Sequence, residues 1–251
     1  DTLLWMYYGN ASCASQENIV GTWDSNYVGI YHLSEDPGSG GSGDILDSTS
    51  NNNDGTAHAS MTSDDLISAR IGNGMIFDGS DDEIDIGDLD LCTSGGDDEF
   101  TISCLVKWNG SGQTYATPVG IASYVGSYTY SSGAFAVQSA GDNSGDHAAA
   151  DIDKDRWHMM TVMYDEGTRD LGYKNSSEVF NETTSDTESG NSDSAFIADG
   201  SGSSNGRNIA AILDEVRISN INRDADWIAT SYNSMTNTTT FVQFGSQQSQ
   251  T

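Results

Sequence analysis

Short runs in which apolar and polar residues alternate are the feature of this 251-residue sequence that most limits its fold. In the clearest run, residues 100–108, every second position is apolar: Phe100, Ile102, Cys104, Val106 and Trp108. This period of two places the five side chains on one face of a strand. Helical spacing is nearly absent; it occurs at residues 224–233, where Trp227, Ile228 and Tyr232 recur, and there we expect a helix.

The alternating runs are separated by segments rich in glycine, serine, asparagine and aspartate, which favour turns. The alternation predicts strands at residues 3–8, 27–33, 75–77, 83–86, 100–108, 118–123, 134–138, 157–164, 171–174, 196–198, 209–219 and 240–244. About a dozen strands joined by turn-rich loops suit two packed antiparallel sheets. The sequence therefore predicts an all-β fold, a two-sheet antiparallel sandwich with one short C-terminal helix.

The charge balance excludes several classes of partner. Nine Lys and Arg residues stand against 38 Asp and Glu residues, which gives a net charge of −29. Contacts with nucleic-acid phosphates or with an anionic membrane need a basic surface. The sequence also contains no run of about 18 apolar residues, which a membrane-spanning helix would need. Two causes of the acidity remain open, a halophilic surface adapted to concentrated salt and a set of cation sites. The even spread of acids along the chain favours the first.

Several motifs occur in a characteristic order. They are YVGIYHLSE at residues 27–35, DSTSNNNDGT at 47–56, GMIFDG at 74–79, FTIS at 100–103, WH at 157–158 and LDEVRI at 213–218. Together they resemble the laminin-G-like, concanavalin A-like jelly-roll family of bacterial and archaeal surface proteins. The resemblance implies a lectin-type jelly-roll domain over residues 27–245 and a tail at 246–251. Residues 1–26 would form an N-terminal strand and linker, including YYGNA at 7–11 as a remnant of a preceding β-domain.

A buried acid points to a cation site. In the strand at 209–219, simple alternation places Asp214 on a face that is otherwise apolar, and a buried carboxylate needs a partner. The family resemblance implies a cation between this strand and the Asp- and Asn-rich loop at 47–55. Oxygen ligands without His or Cys favour a structural Ca²⁺. The expected ligands are Asp47, Asn51, Asn53 and Asp214, with Glu35 as a weaker candidate. The alternative is an acid that is hydrogen-bonded to loop amides.

Aromatic residues mark a candidate ligand surface. Four tyrosines, Tyr115, Tyr124, Tyr128 and Tyr130, crowd a Gly- and Ser-rich region. Aromatic rings stack on sugar faces, so these residues are candidates for glycan binding, with ordinary cross-strand packing as the alternative.

One strand raises the question of catalysis. Glu83 and Asp85 resemble the carboxylate strand of laminarinase-type glycosidases, but Gly87 stands where those enzymes carry a third acid. We therefore expect no catalysis at this strand.

Cysteines and glycosylation motifs favour an extracellular setting. Three cysteines allow at most one disulfide within the chain, and Cys92–Cys104, which flanks an acidic turn, is the preferred pair. Pairing of Cys13 with either one, or three free thiols, are the alternatives. Five N-x-S/T motifs begin at Asn10, Asn109, Asn175, Asn181 and Asn237. Together with the family resemblance, they predict secretion or display on a cell or virion surface.

The function predicted from sequence is therefore binding. We expect a non-catalytic extracellular module for carbohydrate recognition or adhesion, whose partner is a glycan or a surface protein and whose cofactor is a structural Ca²⁺. A structural subunit of a coat, filament or spike is the main alternative, and a glycoside hydrolase or lyase is the third.

The net charge of −29 generates a test of the salt hypothesis. Like charges repel across a Debye length of about 10 Å at 0.1 M salt and much less at molar salt. We therefore expect the melting temperature to rise as NaCl increases from low to molar concentration. A melting temperature that stays constant across this range would contradict salt adaptation.

Overall fold

Most of the alternating segments form strands in the computed structural model. It describes residues 11–58, 61–91, 98–112, 115–121, 125–130, 134–138, 150–183, 194–200 and 207–237. The strands are β1 (Tyr27–Tyr31), β2 (Thr56–His58), β3 (Leu66–Ser68), β4 (Asn73–Asp78), β5 (Glu83–Gly87), β6 (Glu99–Gly112), β7 (Tyr115–Ile121), β8 (Val125–Tyr130), β9 (Ala134–Gln138), β10 (Ala150–Asp151), β11 (Trp157–Asp165), β12 (Arg169–Lys174), β13 (Ser177–Thr183), β14 (Ala195–Ile197) and β15 (Ile209–Ser219). The helices are α1 (Ile19–Thr22) and α2 (Ala225–Thr236), with short 3-10 turns at Pro37–Ser39 and Ser63–Asp65.

These strands form two antiparallel sheets. Within the described chain, the first sheet has eight strands in the order β13-β12-β11-β6-β15-β4-β3, and β1 also pairs with β15. The second has seven strands in the order β10-β9-β8-β7-β14-β5-β2. The predicted all-β, two-sheet sandwich with one C-terminal helix is confirmed.

The core lies between the two sheets. All five alternate apolar residues of β6 that the sequence singled out, Phe100, Ile102, Cys104, Val106 and Trp108, are buried in it. They meet apolar residues from the other sheet, among which Ile84 and Ile197 have no exposed surface. One apolar face from each sheet therefore closes the sandwich, as the period of two requires.

Helix α2 covers part of the outer face of the eight-stranded sheet. Ile228 and Met235 of the helix pack in a second apolar cluster with Leu105, Met159 and Met163 of β6 and β11. The Asp224 side chain caps the helix by accepting a hydrogen bond from the Trp227 amide at 2.7 Å. No helix in the described residues is long and apolar enough to cross a bilayer.

Strand β15 contains an irregularity that the sequence does not reveal. Its register against β6 shifts between Asp214 and Arg217, and Glu215 has a positive φ of 53°. Because of this bulge the residues that enter the core are Leu213 and then Val216. The expectation that Asp214 shares the apolar core face is therefore wrong: Asp214 pairs with Leu105, which belongs to the cluster on the outer face. Asp214 is nevertheless fully buried.

Some predicted boundaries and strands differ from the structure. Strands β2, β3, β8, β10 and β13 are not among the predicted strands, because they are short, mostly polar or rich in Gly, Ser and Thr. The helix begins at Ala225, one residue later than expected, and continues to Thr236. The predicted start of the domain, residue 27, coincides with the start of β1. The predicted strands at 3–8 and 240–244 and the tail at 246–251 lie outside the described residues.

Candidate functional site

The loop that precedes β2 is organised around the carboxylate of Asp47. Its Oδ1 accepts hydrogen bonds from the amides of Ile30 at 3.0 Å and Thr49 at 2.9 Å. Its Oδ2 accepts from the Thr49 hydroxyl at 2.7 Å and from the Asn53 amide at 3.0 Å. With only 8% of its surface exposed, Asp47 has four donors around its two oxygens. This carboxylate is therefore satisfied by the protein itself.

Two further predicted ligands bind the neighbouring strand instead. Asn51 Nδ2 donates to the Tyr27 carbonyl at 3.0 Å, and Asn53 Nδ2 donates to the Val28 carbonyl at 2.9 Å. Both amide groups thus hold the loop against β1. Glu35 Oε2 accepts from the Ser34 amide at 3.0 Å, outside this network.

Asp214 has a different set of contacts. Its Oδ2 accepts a hydrogen bond from the Ile71 amide at 2.8 Å, in the turn between β3 and β4. Its Oδ1 is buried and makes no hydrogen bond of good geometry with the described residues, although the nearby Arg70 amide acts to lower the pKa of this carboxyl. Burial raises the pKa of Asp214 to about 6. Hydrogen bonds therefore join Asp214 and Asp47 to separate segments, and the predicted calcium site between them stays a prediction.

The outer face of the seven-stranded sheet carries a second group of acids. On β5, Ile84 and Ile86 are buried in the core, so Glu83 and Asp85 point away from it. Asp199, which follows β14 and is 2% exposed, forms a side-chain hydrogen bond with Glu83. Burial and the negative charge of Asp199 raise the pKa of Glu83 to about 7. Glu83 therefore keeps its proton up to near neutral pH.

The strand register places an aromatic residue beside these acids. Asp85 pairs with Phe196 of β14, and Phe196 pairs with Gly120 of β7. Directly opposed residues of antiparallel strands share a face. We call the surface formed by Glu83, Asp85, Phe196 and Asp199 the acidic sheet face. The sequence analysis missed Asp199, because it follows a long polar stretch at residues 184–194 that has no strand pattern.

Three of the predicted ligand-binding tyrosines lie on β7 and β8, the two strands that follow β14 in this sheet. Gly126 of β8 pairs with Gly120, and positions 128 and 130 have the same parity as Gly126. Position 115 pairs with position 130. The register thus assigns Tyr115, Tyr128 and Tyr130 to positions on the same side of the sheet as Phe196. Tyr124, and the side chains of the other three, lie outside what the structure describes, so their role in binding stays a prediction.

A third group of acids lies in the turn between β4 and β5. Carboxylate oxygens of Asp78, Asp81 and Asp82 lie within 4.8 Å of one another. Asp82 is 4% exposed and accepts a hydrogen bond from the Asp78 amide at 3.0 Å. Burial raises the pKa of Asp82. These oxygens are of the type that a hard cation prefers, but the sequence analysis did not single them out because aspartate is so common in this chain.

The cysteine and glycosylation predictions are only partly within the described residues. Cys104 is a buried, free thiol in the core, and Cys13 is exposed and free, whereas Cys92 lies outside the described residues. Asn109, Asn181 and Asn237 are exposed. Asn175 is half-buried, with its Oδ1 accepting from the Met159 amide at 3.1 Å, and Asn10 lies outside.

Comparison with known families identifies the type of domain. Residues 78–229, more than half of the chain, match the family described as the Concanavalin A-like lectin/glucanases superfamily. No curated protein matches the sequence.

Solved structures with similar folds come from several kinds of protein. One is the binding domain of Paraclostridial Mosquitocidal Protein 1, with a TM-score of 0.57, 13% identity, and coverage of 83% of this chain and 52% of that one. Another is domain 4 of AbnA, a GH43 extracellular arabinanase from Geobacillus stearothermophilus, in complex with arabinotriose; its TM-score is 0.58 at 17% identity, with coverage of 81% and 97%. A third is a mutant of Trypanosoma rangeli sialidase displaying trans-sialidase activity, with a TM-score of 0.53, 11% identity, and coverage of 84% and 34%. The chain spans about half of the length of the first and a third of the sialidase, and at these identities the likeness is one of fold.

The raised pKa of Glu83 predicts a pH-dependent stability. An acid whose pKa is higher in the folded state than in the unfolded state stabilises the fold below its unfolded value, about 4.5, and loses this contribution as the pH rises through about 7. We therefore expect the melting temperature of Glu83→Gln to decline less than that of the wild type between pH 5 and pH 8. Thermal melts across this range measure the difference.

The exposed variant Glu182→Gln is the matched control and should follow the wild type. Asp214, whose pKa is also raised, contributes to the pH dependence of the melting temperature in every variant. A Glu83→Gln profile parallel to that of the wild type would rule out the raised pKa of Glu83.

Proposed function

Because this chain belongs to the Concanavalin A-like lectin/glucanases superfamily, we propose that it is a non-catalytic module that binds carbohydrate. The fold alone does not decide this function, since one architecture hosts many activities. The proposal is carried by the acidic sheet face. There Asp85, a half-buried carboxylate, lies in register with Phe196, which is 8% exposed, and in line with the positions of the three tyrosines, whose rings would stack on the sugar.

The chemistry of this face suits a sugar. Carboxylates accept hydrogen bonds from sugar hydroxyls, and aromatic rings stack on the apolar faces of sugar rings. Asp85 remains half-buried, with one oxygen accepting from the Gly87 amide at 2.8 Å, so it is held in place by its own strand. An arabinanase domain of similar fold was solved in complex with arabinotriose, which is in keeping with carbohydrate as the ligand class.

The spacing of the acids argues against hydrolysis. Glycoside hydrolases keep their two carboxyl groups about 5–5.5 Å apart for retention and about 6.5–9.5 Å apart for inversion, so that a sugar or a water molecule fits between them. Glu83 and Asp199 are instead hydrogen-bonded to each other. A directly bonded pair leaves no space for the reacting sugar, so Glu83 and Asp199 cannot act as the two catalytic carboxyl groups. For the strand with Glu83 and Asp85, it is Gly87 in place of a third acid that supports binding without catalysis.

We expect the wild-type protein to bind oligosaccharides on a glycan array run in high salt with calcium. For the best ligand, Tyr128→Ala should weaken binding about tenfold, equivalent to about 1.4 kcal/mol, because a stacking ring is lost. Titration calorimetry measures the change. Tyr232→Ala, on helix α2, which packs against the other sheet, is the control and should bind the glycan as the wild type does. Absence of binding to every glycan would refute the proposal and leave an assembly role as the better explanation.

The structural calcium ion is a separate part of the proposal. Asp214 Oδ1 is a buried oxygen with no hydrogen bond of good geometry to the described residues, which is the kind of atom that a cation would satisfy. Asp47 fits less well, because four donors already surround its oxygens. We therefore assign Asp214 as the carboxylate that would anchor the ion, with Asp47 holding the loop through hydrogen bonds.

Chelation distinguishes these two roles. At 100 times its dissociation constant, an ion that binds only the folded state adds about 2.7 kcal/mol, so EDTA should lower the melting temperature of the wild type by about 5–10 °C. Asp214→Asn should melt at the same temperature with calcium and with EDTA. Asp47→Asn should be destabilised but keep the EDTA shift. A wild-type melt that EDTA leaves unchanged would eliminate the ion.

A further inference from the structure

A narrow cleft runs along the outer face of the eight-stranded sheet, between helix α2 and strand β1. Its floor is one row of paired residues: Arg217 of β15 pairs with Ser103 of β6, and Ser103 pairs with Thr161 of β11. The rings of Tyr27 and Trp227 form its rim. This cleft lies on the opposite sheet from the acidic sheet face, so it is independent of the proposed carbohydrate site.

Two polar atoms in the floor lack partners. Thr161 is 1% exposed, and its Oγ1 forms no hydrogen bond to any described residue. The Nε of Arg217 is likewise buried without a partner in the described chain. Buried polar atoms nearly always have a hydrogen-bond partner, supplied by protein, water or a bound ion. One more hydrogen-bonding species in the cleft could therefore bond to these two atoms.

The free groups are donors. An arginine Nε can only donate, and a threonine hydroxyl can donate to an acceptor as well. The carboxylate nearest to Arg217 is already engaged: Glu215 Oε2 accepts from Arg217 Nη2 at 2.6 Å, and its Oε1 lies 2.6 Å from His32 Nδ1. Two basic side chains thus surround a single carboxylate. The missing partner at Arg217 Nε and Thr161 Oγ1 is therefore an electron-rich acceptor.

The second arginine of the cleft is fully used in building its wall. Arg223 is stacked between the rings of Tyr27 and Trp227, at 4.4 and 4.5 Å from their centroids. Its two Nη atoms donate to Asp24 at 2.9 Å each, and its Nε donates to Ser219 Oγ at 3.1 Å. This arrangement fixes the rim and adds no free carboxylate to the cleft.

The size of the cleft selects the occupant. The free space accommodates about one water-sized particle, which excludes a sugar ring. We propose that this cleft binds a single halide ion, chloride in a NaCl medium, between Arg217 Nε and Thr161 Oγ1. Ser103 completes the floor between them. The ion would stabilise the packing of α2 against the sheet through direct coordination, in addition to any general screening of the acidic surface.

Comparing two sodium salts at equal ionic strength separates coordination from screening. The wild type should melt about 2–4 °C higher in NaCl than in sodium gluconate, whose anion is too large for the cleft. Thr161→Val, which keeps the shape but removes the hydroxyl, should abolish most of this difference. Thr168→Val, at an exposed turn, is the matched control and should keep it.

Diffraction from crystals grown with NaBr provides the direct readout. Bromide should give an anomalous peak within contact distance of Arg217 Nε and Thr161 Oγ1, and Arg217→Lys, which keeps the charge but lacks the Nε donor, should weaken the peak. Equal melting temperatures in chloride and gluconate, together with no anomalous peak in the cleft, would mean that water fills it and would overturn the proposal.

Discussion

Strand β15 changes its neighbour halfway along its length, and the rest of the structure depends on how it does so. On one edge it pairs with β6 throughout; on the other, residues 210–213 pair with β4 and residues 216–219 pair with β1. The bulge between Asp214 and Arg217 lies at this junction. A bulge adds a residue to one strand and reverses which side chains face each side beyond it. The same strand can therefore supply core residues on both sides of the junction.

The bulge also distributes charged groups between two environments. Asp214 lies beside the start of β4 and accepts a hydrogen bond from the Ile71 amide. Glu215, in a left-handed conformation, contacts His32 of the segment that follows β1 and Arg217 of its own strand. The result is that His32 has a raised pKa and Glu215 a lowered one, chiefly because each stabilises the charged form of the other against the cost of burial. Arg217, at the end of the bulge, is one of the residues that line the cleft beside α2.

The fold was predictable from the sequence, whereas the candidate sites were predictable only in part. The alternation in residues 100–108 identified five core residues of β6 correctly, because a period of two depends only on which face is buried. The same argument gave the wrong face for Asp214, because a bulge leaves no mark in the apolar pattern. The Glu83–Asp199 pair joins residues 116 positions apart, and only the pairing of β5 with β14 brings them together. For Asp47 the residue was identified, but its four donors come from the backbone and a threonine, which spacing does not reveal.

A shortage of Lys and Arg side chains explains how this chain buries its acids. With nine Lys and Arg residues for 38 acids, most carboxylates have no basic partner to pair with. Four buried aspartates accept hydrogen bonds from backbone amides instead: Asp47, Asp82, Asp199 and Asp214. An amide donates a hydrogen bond without a full positive charge, so it offsets less of the cost of burial than an arginine does. This is why Asp82 and Asp214 have raised pKa values, whereas Asp24, bound by Arg223, has a lowered one. Two of the guanidinium groups that do pair with acids also contact aromatic rings, Arg217 with Trp23 and Arg223 with Tyr27 and Trp227.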